Sequence, residues 1–127
     1  MTHALIIDDN AQNVMILAQM LTRQGATSTK ITHPGDLAQQ LAIPAYYDVA
    51  FVDLEMPTLD GYSVYRLLRA DLRFANTPIV AYTVHLSELH ATHSFGFDGF
   101  IGKPLDARKF PDQLARILRR EAVWEPT

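Results

Sequence analysis

Val49-Ala50-Phe51-Val52-Asp53-Leu54-Glu55-Met56-Pro57 is the stretch whose reading decides the fold. Four apolar residues, three of them β-branched or aromatic, run straight into a carboxylate. A strand buried on both faces reads as such an unbroken run, because neither face meets water. Strands of that kind belong to parallel sheets covered by helices on both sides. Working outward, the pattern recurs. Ala4-Leu5-Ile6-Ile7 stops at Asp8-Asp9-Asn10, and Pro78-Ile79-Val80-Ala81-Tyr82 stops at Thr83. Gly99-Phe100-Ile101-Gly102 is shorter and leads into Lys103-Pro104.

Helical periodicity fills the gaps between these runs. The spacing predicts a helix over 13–24, with Val14, Leu17, Ala18 and Leu21 on one face and Gly25 as its stop. Further helices are expected over 36–42, 60–72, 86–95 and 106–120. Gly61 falls in the first turn of the third of the five helices, and Val64, Leu67 and Leu68 form its inner stripe. Phe110, Leu114, Ile117 and Leu118 form that of the last. Strands alternating with helices imply right-handed crossovers and a parallel sheet. The second strand, around Thr27-Ser28-Thr29-Lys30, is too polar for the middle and belongs at an edge. The short fifth strand takes the other edge. The expectation is therefore an α/β fold with a doubly wound five-stranded parallel sheet, order 2-1-3-4-5, in a flavodoxin-like three-layer architecture. Residues 1–121 form one domain, and 122–127 form a short, frayed C-terminal tail.

The chain has 127 residues, 48% hydrophobic and 20% charged, which is the profile of one globular domain. It has no cysteine, which excludes a thiol nucleophile, a thiolate metal site and a disulfide scaffold. A net charge of -3 argues against a broad nucleic-acid footprint. No apolar run approaches the ~20 residues of a membrane span, and no export signal is visible at the N-terminus. The cytoplasm is the expected location. Met1 and the short tail read as a complete product.

In an open parallel sheet the ligand sits beyond the carboxyl ends of the strands, where the strand order reverses. There the sequence places Asp8-Asp9, Asp53, Thr83 and Lys103. Two carboxylates ~4 Å apart repel by ~4 kcal/mol at an effective dielectric of ~20. Three of them demand cations. Lys103 supplies one charge, and a hard divalent ion held by oxygens supplies two. Carboxylates, a carbonyl and waters suit Mg²⁺ (or Mn²⁺), whereas the lack of Cys or His at these strand ends disfavours zinc. A carboxylate can attack phosphorus and form an aspartyl phosphate. Asp53 is the best nucleophile candidate, because it ends the central strand between the acidic pair and the Thr and Lys.

Asp8-Asp9, Asp53-Leu54-Glu55-Met56-Pro57 with Asp60-Gly61, Thr83 and Lys103-Pro104, in that order and spacing, resemble the receiver domain of two-component response regulators along essentially the whole chain. The resemblance is to the stand-alone, single-domain type. It implies that Asp53 is the phosphoacceptor. It implies that Asp8, Asp9, Asp53 and the backbone carbonyl of Glu55 bind Mg²⁺, and that Lys103 pairs with the phosphate. Thr83 and Phe100 are then the switch residues, and the Lys103–Pro104 bond is cis. The implied donor is a phosphohistidine on a sensor histidine kinase or a histidine phosphotransfer protein. The output is phosphorylation-dependent binding of a downstream protein, through the face of the fourth and fifth helices. Val84 stands where the family often has a small residue, and Phe100 where it often has Tyr.

Other readings compete. A haloacid dehalogenase-type phosphotransferase would place its nucleophile on the first motif and needs a cap domain, which the length does not hold. A flavin or nucleotide module needs a Gly- or Ser-rich loop after the first strand, where this chain has two aspartates. A pseudo-receiver, folded alike and never phosphorylated, is opposed by the intact acidic set and lysine. His85, His90 and His93 are read as a solvated helix face rather than a metal site. Met15, Ile16 and Met20 form an apolar surplus on the first helix, fit for a partner helix. Arg116, Arg119 and Arg120 complement the dipole of the last helix.

Overall fold

The three strongest apolar runs form the middle of one sheet. The computed structural model describes residues 1–57 and 59–126. Its strands are β1 (His3–Ile7), β2 (Thr27–Ile31), β3 (Val49–Val52), β4 (Ile79–Thr83), β5 (Gly99–Gly102) and β6 (Val123–Glu125). All neighbours are parallel, in the order β2-β1-β3-β4-β5-β6. Every residue of β3, β4 and β5 is buried, whereas only Ile31 of β2 is, so the polar strand takes an edge as its composition requires.

Among the described residues the expected five strands are six. The segment read as a frayed tail carries β6, which pairs Phe100 with Trp124 and moves β5 off the edge. Val123 is buried in the core, and side chains hold the rest of the strand. The Arg116 guanidinium lies 2.7 Å from the Glu125 carboxylate, Gln113 donates to Glu125 at 3.0 Å, and the His93 and Trp124 rings lie 4.6 Å apart. Arg120 turns the chain with φ +64, a left-handed conformation uncommon outside glycine. None of this is local, so no apolar run announced it.

The helices are α1 (Ala11–Arg23), α2 (Leu37–Leu41), α3 (Gly61–Ala70), α4 (Leu89–Phe95) and α5 (Phe110–Leu118). Asn10 caps α1 by accepting the Asn13 N–H, and Asp60 caps α3 by accepting the Ser63 N–H. Each such cap contributes about 1 kcal/mol. Alternate strand residues face opposite layers. Ile6, Phe51, Tyr82 and Ile101 pack with Leu17 and Leu21 of α1 and Phe110 and Leu114 of α5. Ile7, Val52, Ala81 and Phe100 pack with Leu37, Val64 and Leu68 beneath α2 and α3. Leu67 differs from expectation: it is half exposed, because Gly61, Val64 and Leu68 already fill the inner face of α3. Met20 packs against the core, which leaves Met15 and Ile16 as the exposed apolar residues of α1.

Candidate functional site

Strand parity explains how the site assembles. Asp8 lies two residues beyond Ile6, Asp53 two beyond Phe51, and Lys103 two beyond Ile101. Period two therefore sends all three toward the same layer as Tyr82. The strand pairing continues past the assigned ends, since Asp8 N–H donates to the Ile31 carbonyl and Asp53 N–H to that of Ile7. The main chain holds the carboxylates at one level.

The side chains converge. One carboxylate oxygen from each of Asp8, Asp9 and Asp53 lies within 4.8 Å of the others. Lys103 Nζ is 2.9 Å from Asp8 Oδ2 and 3.4 Å from Asp53 Oδ1. Asp8 is fully buried, Lys103 and Asp53 are nearly so, and Asp9 is exposed. Beside them, Asp9, Leu54, Glu55, Met56, Pro57 and Asp60 line an open cleft of about 400 Å³. With all groups ionised, three carboxylates and one ammonium leave two negative charges.

The two buried acids titrate apart. Burial alone would raise Asp8, but hydrogen bonds from the Asn10 N–H, Lys103 and Tyr82 outweigh it and hold that carboxyl below its ordinary value. Asp53 goes the other way. Burial raises it most, Lys103 pulls it back, and the Asp8 charge raises it again, to about 6. Asp8 is thus the fixed charge, and Asp53 is the more basic carboxylate. Oxygen donors, two net negative charges and an open cleft fit a hard divalent cation.

The other expected residues differ in burial and in their partners. Thr83 is fully buried and its hydroxyl oxygen accepts the His85 N–H at 3.2 Å. Phe100 is fully buried in the opposite layer, and the Lys103–Pro104 bond is cis. Glu55 N–H points at Asp53 Oδ1 over a long 3.4 Å. Its side chain meets His85 Nε2 at 2.6 Å, so His85 is not simply solvated. His93 lies against Trp124, and among the described residues no candidate metal cluster includes a histidine. Val84 is 60% exposed.

Sequence reading missed Tyr82. Its hydroxyl donates to Asp8 Oδ2 at 2.7 Å, and its ring lies 4.3 Å from Lys103 Nζ. Inside an apolar strand it passed for core. Its shared parity with Phe51 and Ile101 was the available signal.

An acidic trio with a lysine at the carboxyl ends of a doubly wound sheet can hold a divalent cation beside a nucleophilic carboxylate. The profile of the family described as "Response regulator receiver domain" matches residues 4–115. The chain belongs to that family, whose members work in two-component and phosphorelay signalling. It is 26% identical over 141 residues to a protein of Oryza sativa subsp. japonica named "Probable histidine kinase 5", matching 94% of this chain and 12% of that one. It is 29% identical to hybrid signal transduction histidine kinase A of Dictyostelium discoideum, over 89% of this chain and 6% of the relative. The chain therefore spans a small fraction of the curated relatives it matches. Among solved structures, the receiver domain of sensor histidine kinase PA1611 from Pseudomonas aeruginosa PAO1 has 27% identity and a TM-score of 0.78, covering 93% of this chain and 98% of that one. That structure is described with a magnesium ion coordinated in its active site cleft. A sensor protein from Polaromonas sp. JS666 has 26% identity and a TM-score of 0.80, covering 93% and 96%. Among the described residues, no helix is long and apolar enough to cross a membrane.

Proposed function

We propose that this receiver accepts a phosphoryl group on Asp53 from a phosphohistidine of a sensor histidine kinase or a histidine phosphotransfer protein. The observation that carries the reading is Lys103, nearly buried and within 3.4 Å of both Asp8 and Asp53. An Asp53 oxygen attacks phosphorus, the phosphorus–nitrogen bond breaks, and its electron pair returns to the imidazole. Asp53 needs no general base, because at neutral pH it is already largely ionised. Lys103 leaves Asp8 to take a phosphoryl oxygen. Thr83 takes another by giving up its bond with the His85 N–H. Asp8, Asp9, Asp53 and the Glu55 carbonyl would hold Mg²⁺ (or Mn²⁺), which supplies positive charge to the nucleophile and the phosphoryl group.

The output is a change in protein binding governed by the Thr83 and Phe100 packing, rather than turnover of an external metabolite. Exposed Met15 and Ile16 on α1 support docking of a partner helix. The net charge favours protein partners over nucleic acid, and the composition favours the cytoplasm. Incubation with acetyl phosphate and Mg²⁺, followed by intact mass, tests the reading. One added phosphoryl group is expected, absent without Mg²⁺ and absent in Asp53→Asn. No adduct on the wild-type chain, or an adduct retained in Asp53→Asn, overturns it.

A further inference from the structure

Asp8 is a buried carboxylate whose hydrogen bonds can all be traced. Oδ1 accepts the Asn10 N–H at 2.9 Å. Oδ2 accepts two donors, the Tyr82 hydroxyl at 2.7 Å and Lys103 Nζ at 2.9 Å. Tyr82 is 1% exposed, and its ring meets Phe51 edge-on at 6.3 Å, so packing fixes where the hydroxyl points. Asp9, the neighbouring carboxylate, has no hydrogen-bond or ion-pair partner among the described residues. Asp8 is therefore the most firmly held carboxylate of the acidic set.

The two donors on Oδ2 differ in permanence. Lys103 sits on a long, flexible stem, and the function proposed above requires it to turn to the phosphoryl group. Tyr82 has a rigid ring locked in the core. Once Lys103 leaves, Tyr82 is the only remaining donor to Oδ2 among the described residues. A buried carboxylate oxygen with no donor is costly, and the group escapes that cost by rotating. Rotation spoils it as a metal ligand.

We propose that Tyr82 is a positioning residue of this receiver: its phenol holds Asp8 in the orientation a divalent cation needs and leaves Lys103 free to serve the phosphate. The proposal rests on the magnesium-dependent reading above. Hydrogen-bond partners of metal-ligating groups typically contribute about 10- to 100-fold to metal affinity.

Tyr82→Phe tests it, because the variant keeps the ring, its contact with Phe51 and the face beneath Lys103, and removes one hydroxyl. Mg²⁺ titration by isothermal calorimetry on both proteins is expected to show Kd raised about tenfold or more in the variant. In acetyl phosphate reactions the Mg²⁺ concentration giving half the maximal rate rises by the same factor, while the rate at saturating Mg²⁺ returns toward wild type. Thermal melts of both proteins in EDTA show that the variant is folded. Unchanged or tighter Mg²⁺ binding overturns the proposal and leaves the function standing. A lowered rate at every Mg²⁺ concentration, with an unmoved midpoint, also overturns it and makes Tyr82 purely structural. A wild-type chain that binds no Mg²⁺ overturns both.

Discussion

The acidic rim and the β5–β6 edge are both held by pairs of opposite charge, yet they differ in what surrounds them. At the rim, Asp8 and Lys103 lie 2.9 Å apart with side chains 0% and 8% exposed. At the edge, Arg116 and Glu125 lie 2.7 Å apart with side chains 24% and 32% exposed. Similar distances conceal different energetics. Water screens the edge pair, and each partner alone would be well solvated. At the rim each partner is stranded if the other leaves. Distance identifies a pair, while burial decides what its loss costs and therefore where function can store charge.

Breaking the rim at its cation should have the largest effect. Lys103→Ala leaves Asp8 and Asp53 without their ammonium, and removing one partner of a buried pair typically costs about 3–5 kcal/mol. Urea unfolding of the metal-free protein checks this, and Mg²⁺ should restore part of the loss. A cost under about 1 kcal/mol would place the rim in the same class as the edge.

Changing the acid instead should reverse the sign. Asp53 rises from 3.8 to about 6 on folding, chiefly through burial. The folded state then binds more protons than the unfolded state between those two values. Stability contributed by this group is present below about pH 4 and is lost as pH rises through about 6. Asp53→Asn removes that penalty and is expected to stabilise the metal-free chain at pH 7.5 by about 1–3 kcal/mol. The gain should vanish near pH 4, which urea unfolding at the two pH values checks.

Gly61 sharpens the comparison through packing alone. A Cβ there would lie 2.5 Å from the Asp53 carbonyl oxygen and 2.7 Å from Leu54 Cα, both main-chain atoms that cannot swing aside. Gly61→Ala is expected to cost about 1–3 kcal/mol and to slow phosphorylation by shifting Asp53. Thermal melting and the acetyl phosphate rate measure the two effects.

The smallest change belongs to the edge. Glu125→Ala removes the contacts to Arg116 and Gln113 and should cost about 1 kcal/mol or less, falling further in high salt. Amide exchange should quicken at 123–125 while the central strands stay protected. Destabilisation comparable to that of Lys103→Ala would mean that the Glu125 contacts, rather than the burial of Val123, anchor β6.

Much of this was legible in the chain, for a reason visible in particular residues. Val49-Ala50-Phe51-Val52 and Ala4-Leu5-Ile6-Ile7 satisfy a local rule, that a strand covered on both sides must be apolar throughout. Asp8, Asp9, Asp53, Thr83 and Lys103 could be placed together because each ends such a strand, and parallel strands end on one side. Asp60-Gly61 was legible as a helix start, although not as the point where α3 presses on Asp53.

The sequence by itself determined the alternation of elements, the polar second strand at an edge and the set of groups on the rim, because burial and chain direction act on each segment separately. Only the tertiary structure decided the sixth strand, the Glu55–His85 contact and the bond from Tyr82 to Asp8. Each joins residues far apart in the chain through pairing register and side-chain reach, and those exist only once the layers have packed.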